Sequence, residues 1–138
     1  MVEPILIAGS CFALAGNIAK ASLAIADFIR HTRDAAKDMD AVSSELQALA
    51  AILTPLAHTT NSAAASVPHP LVEQVETVLS DCKGVVAQID EIINKHRANG
   101  VFTKTTWLLF GKSDVQKLRE SLESYKMALS LGLHAISV

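Results

Sequence analysis

Apolar residues recur three and four positions apart along almost the whole chain, a spacing that suits helix and little else. Leu14, Ile18, Ala21, Ile25 and Phe28 make one such stripe, and Met39, Val42, Leu46, Leu49 and Leu53 a second. The third, Leu71, Val75, Val78, Cys82, Val85, Ile89 and Ile92, is flanked by Val72, Leu79, Val86 and Ile93. A stripe so broad marks a helix buried in a bundle, not a narrow dimer seam. Val115, Leu118, Leu122, Tyr125, Leu129 and Leu133 carry a fourth, and no segment alternates at period two. The pattern reads as an all-α bundle of four long helices around one core.

Prolines, glycines and capping residues place the ends. Pro4 suits a first helical turn, where its missing N–H costs nothing. That helix should reach about His31, with a kink or split near Gly16, since glycine costs about 1 kcal/mol in a helix interior. A second helix is expected over residues 34–54, with Pro55 ending or bending it, and residues 58–69 read as a loop. Pro70 opens the third, which closes on Lys95, His96 and Arg97 before Asn99-Gly100. Ser113 and Gln116 form a capping box for the fourth, and a short helical turn is expected near Trp107. At 138 residues the chain is read as a single domain spanning 1–138, long enough to bury an ordinary core.

Composition then narrows function by exclusion. A net charge of −2 and no basic tail remove the phosphate-neutralising attraction on which nucleic-acid binding rests. None of the phosphate-cradling glycine motifs or the GxSxG nucleophile motif occurs. His31, His58, His69, His96 and His134 have no partners at metal-ligand spacing. Cys11 and Cys82 lie far apart without a CxxC pair, which fits a reducing, cytosolic setting and two small buried hydrophobes. With no nucleophile, base or metal constellation, the chain is read as a non-enzyme with no cofactor, no small-molecule substrate and no nucleic-acid partner.

Two stretches suggest lipid. Residues 4–19 contain no charge, yet lack the positive start of a secretory signal and the ~20 uncharged apolar residues of a constitutive span. Within them Gly9 and Ala13, and Ala15 and Ala19, form small-xxx-small pairs, and Gly9 and Gly16 lie seven apart; such spacing lets helices approach closely in lipid. The alternative is a central core helix with small residues where neighbours press close. The second stretch, residues 95–112, holds Lys95, Arg97, Lys104 and Lys112 and no acid, interleaved with Phe102, Trp107 and Phe110. Aromatic rings at headgroup depth beside cations are the makings of an interfacial contact with anionic lipid. The alternative is that Trp107 and its neighbours cover the end of the bundle.

Four blocks in order give the chain a resemblance. They are Met1-Val2-Glu3-Pro4-Ile5 before an Ala/Gly-rich helix, Ser44-Glu45-Leu46-Gln47-Ala48-Leu49, Cys82-Lys83-Gly84-Val85-Val86, and the stretch from Trp107 to Leu133 around Leu118-Arg119-Glu120-Ser121-Leu122. Together they resemble the fungal HeLo-like (HELL) domains, N-terminal modules of NLR/STAND-type receptors and related cell-death proteins, across essentially the whole chain. The resemblance implies an N-terminal part of a larger fungal innate-immunity or self-recognition protein, cytoplasmic at rest and moving to the plasma membrane on activation. It implies that clustering releases the N-terminal helix, which then disrupts the bilayer. By position the membrane-active segment would comprise Pro4, Ile5, Leu6, Ile7, Gly9, Phe12, Leu14 and Gly16. The partners so implied are anionic lipid and further copies of the domain. Lys20 at the end of the segment favours a short pore-lining or interfacial helix over a full span. The rival reading is a non-lytic adaptor or oligomerisation module at the head of a signalling receptor.

Overall fold

The computed structural model describes residues 4–31, 36–62, 67–98 and 112–137, with side chains described except at 4–6, 31, 36, 62, 96–98, 112 and 137. These residues build four helices: α1 Pro4–His31, α2 Ala36–Ser62, α3 His69–Ala98 and α4 Lys112–Ser137. No strand occurs among the described residues. The four stripes read from the sequence supply the core. Ile18, Ile25 and Phe28 of α1, Met39, Leu46 and Leu53 of α2, Leu79, Cys82 and Ile89 of α3, and Leu118, Leu122 and Leu129 of α4 are all buried in one cluster. At roughly 1.5–3 kcal/mol for each large side chain removed from water, this cluster is the main source of stability.

Each helix packs on two others. α1 lies against α2 and α3, and α4 lies against the same two, so α1 and α4 face each other across one diagonal of a square. Direction follows from the cross-helix bonds. Ser10 near the start of α1 reaches Glu76 near the start of α3, so those neighbours run parallel. Glu45 in the first half of α2 pairs with Arg119 in the first half of α4, at 2.9 Å, so that pair is parallel too. The start of α3 borders the end of α4, which makes them antiparallel.

Two breaks expected from the sequence are not there. α1 runs through Gly16 as one helix. Leu14 and Ile18 are both buried, and this anchorage outweighs the small helix-propensity cost of the glycine between them. α2 likewise runs past Pro55 to Ser62, so the expected end at residue 54 and much of the expected loop are helical. Leu56, Ala57 and Thr60 beyond the proline are buried, and that burial holds the last two turns. Pro55 deprives the carbonyl of Ala51 of its donor, but both residues are exposed and water can serve it. The α3 start matches expectation: the carbonyl of Pro68 accepts from the N–H groups of Leu71 and Val72. The turn expected near Trp107 lies outside the described residues.

Candidate membrane-facing surface

The uncharged N-terminal segment is the first half of α1, and the helix divides it in two. Ile7, Ala8, Cys11, Leu14 and Ile18 point into the bundle and are buried. Gly9, Phe12, Ala13, Gly16, Ala19 and Leu23 point outward and are exposed. Phe12 and Leu23 keep 58% and 73% of their surface in water. At 100° per residue, Phe12, Ala19 and Leu23 fall within one narrow line along the helix, with Gly16 beside it. From Ile7 to Ile25 the only charge is Lys20, at the edge of that line.

The small residues of this face do not serve packing inside the bundle. A Cβ built on Gly9 or Gly16 would meet nothing within 4 Å. The core-helix explanation therefore accounts for Ile7, Leu14 and Ile18 but not for the glycines. Of the other segment residues named from the sequence, Pro4, Ile5 and Leu6 lie in the first turn of α1, and their side chains lie outside those described. Among the described residues, Ile7–Arg30 is long and apolar enough to cross a membrane by length and composition, a test that the core helix of a bundle also passes.

A polar contact fastens the inner edge of this segment. The hydroxyl of Ser10 donates to the carboxylate of Glu76 across the α1–α3 seam, with oxygen–oxygen distances of 3.0 and 3.2 Å. The contact closes one side of a shallow cleft of about 180 Å³ bordered by Ala13, Leu79, Ser80 and Lys83. Cys11 sits one residue further on; burial first, then the Glu76 carboxylate, push its thiol from 9.0 up to about 12. Burial and Asp81 do the same to Cys82. Both are free and buried, as the sequence spacing suggested.

The second stretch is mostly beyond the described residues. Lys95 is exposed near the end of α3. Arg97 and Lys112 lie in α3 and α4 with side chains outside the described set, while Phe102, Lys104, Trp107 and Phe110 fall outside it altogether. Sequence reasoning missed a further apolar surface on α4, where Met127 and Leu131 are 58% and 69% exposed. Their i, i+4 spacing signals a second apolar face beside the core stripe of α4.

Compared with known families, residues 2–138 match the model described as pigment biosynthesis cluster protein PigL N-terminal. It describes a fungal helical domain of the HeLo-like kind. No curated protein and no solved structure matches the chain.

Proposed function

We propose a membrane function for this chain, which belongs to the PigL N-terminal family: it is a non-enzymatic helical domain that targets and disrupts a bilayer when clustered. The observation that carries this reading is the outward face of α1. A soluble helix normally turns charge to water, whereas this one turns Phe12, Gly16, Ala19 and Leu23. Such a face loses little on entering lipid and gains roughly 25 cal/mol for each Å² of apolar surface withdrawn from water. In this mode of action α1 lies in the interface or lines a pore rather than spanning. Lys20 at a bilayer centre would cost about 2.5–3.5 kcal/mol, but in an interfacial helix it can reach the headgroups.

The cell-death role, the NLR-type receptor context and the movement from cytoplasm to plasma membrane follow from the likeness to HeLo-like domains and are part of this proposal. The cations of residues 95–112 would give the anionic lipid its first contact, each worth about 1 kcal/mol near the surface. Dye release from vesicles containing anionic lipid tests the whole reading, with Phe12→Asp/Leu23→Asp as the variant. Both positions are exposed, so the variant should melt with the parent chain while releasing dye at least tenfold more slowly. A parent chain that leaks nothing even when artificially clustered, or a variant that leaks equally, would turn the assignment to the non-lytic adaptor.

A further inference from the structure

The two outward apolar faces differ in shape. On α1 the face is a ridge: Phe12 and Leu23 protrude, eleven residues and therefore roughly 16 Å apart along the axis, with Gly16 and Ala19 between them. Between the start of α3 and the end of α4 the face is a groove of about 880 Å³. Its walls are Leu71 and Val78 on one side and Ala128 and Leu131 on the other. Its floor is the close approach of Gly132 to Val75, where a Cβ on the glycine would lie 3.1 Å from Val75 Cγ2. Met127, one turn before Leu131, extends the α4 side with another exposed apolar side chain.

Charge matches as well as shape. The groove lining includes one charged residue, Glu73. Its side chain is 62% exposed, with His69 Nδ1 3.5 Å away as a neighbour on the same helix. The ridge carries one charge of opposite sign, Lys20. The ridge points outward from the α1 corner of the square and the groove opens at the α3–α4 seam, so in the folded bundle one chain cannot join its own two faces.

We infer that the groove receives the α1 ridge of a second copy of this chain, with Lys20 of one copy meeting Glu73 of the other. The contact is heterologous: each copy offers its ridge to one neighbour and its groove to the next, and such contacts extend into a ring or filament. A helix laid into an apolar groove is a common mode of recognition. In solution the docking would keep the ridge out of water. The inference does not depend on the lipid reading, and its test contains no lipid.

Sedimentation equilibrium of the whole chain is the experiment, with Phe12→Arg to spoil the ridge and Leu131→Arg to spoil the groove. The parent chain should gain mass steadily with concentration. Each variant alone should stay monomeric, with circular dichroism unchanged and the parent's melting temperature matched at dilutions where the parent is monomeric too, because both positions are exposed. Mixed in equal amounts, the variants should form one dimer and stop, since an intact groove then meets an intact ridge. Lys20→Glu and Glu73→Lys should each weaken assembly several-fold, and the two changes in one chain should restore it. A monomeric parent, a single variant that still assembles, or a mixture that stays monomeric would overturn the inference; the second result would point to like faces joining.

Discussion

Burial governs chemistry as well as packing at Cys11 and Cys82. Both thiols are pushed up to about 12, so near neutral pH they are protonated and poor nucleophiles. We expect both to resist alkylation at pH 8 in the folded chain and to react at once in denaturant, by mass spectrometry. Stability follows the same shift. An unfolded thiol releases its proton near its ordinary value of 9.0, while the folded one holds it to about 12. The stabilising difference is therefore complete below pH 9 and is lost as pH climbs from there toward 12. Thermal melts should fall across that alkaline window, and less steeply when both cysteines are replaced by alanine relative to that variant's own melt at pH 8. The cysteine environment was legible in the sequence, because Cys82 falls on the apolar stripe of α3. The Ser10–Glu76 contact was not: nothing in a sequence reports which residues 66 positions apart will face each other.

The element that matters most is α1, with one face in the core and the other turned outward. Taking Ile7, Leu14, Ile18, Ile25 and Phe28 out of the bundle would expose five large side chains, a cost of roughly 8–15 kcal/mol in water. That rivals the whole stability of a typical domain. α1 therefore leaves the bundle only when another apolar phase accepts it. The outer face carries its own prediction. With open space over Gly9 and Gly16, alanine at either should stabilise the helix by about 0.5–1 kcal/mol and raise the melting temperature by about 3 °C. The same changes should slow dye release, because in lipid these positions set how closely helices approach. A higher melting temperature with unchanged release would show that the glycines serve no purpose in the bilayer. Periodicity identified α1 as a helix and the stripe from Leu14 to Phe28 as its core side, but it did not separate the buried Ile7 from the exposed Phe12, which are equally apolar in a one-dimensional reading. Pro55 and Gly16 misled for the opposite reason: a local penalty of one or a few kcal/mol yields to the burial of side chains on both sides of it.

For the whole molecule, the square arrangement explains how a bundle with one core can carry two outward apolar faces. Four helices with each packed on two neighbours leave every helix with an outer side, and sequence decides what that side shows. α3 shows charge there, with Glu73, Asp81, Lys83, Asp90 and Lys95 all exposed. α1 shows one charge, Lys20, between Ile7 and Ile25, with Arg30 exposed near its end. The number of helices, most of their ends and most of the core were legible in the sequence, although α2 runs on from its expected end at residue 54 to Ser62. The diagonal placement of α1 and α4 was not legible, because the apolar stripe of a helix does not say which neighbours it will pack against. Nor was the α3–α4 groove, which exists only once Gly132 meets Val75. In the proposed function the outer face of α1 enters lipid. The most direct test is tryptophan fluorescence of Phe12→Trp, with Trp107→Phe removing the native signal, titrated with anionic vesicles whose acyl chains carry bromine. The account predicts a blue shift and strong quenching at position 12. Emission that stays water-like while the chain sediments with the vesicles would contradict it.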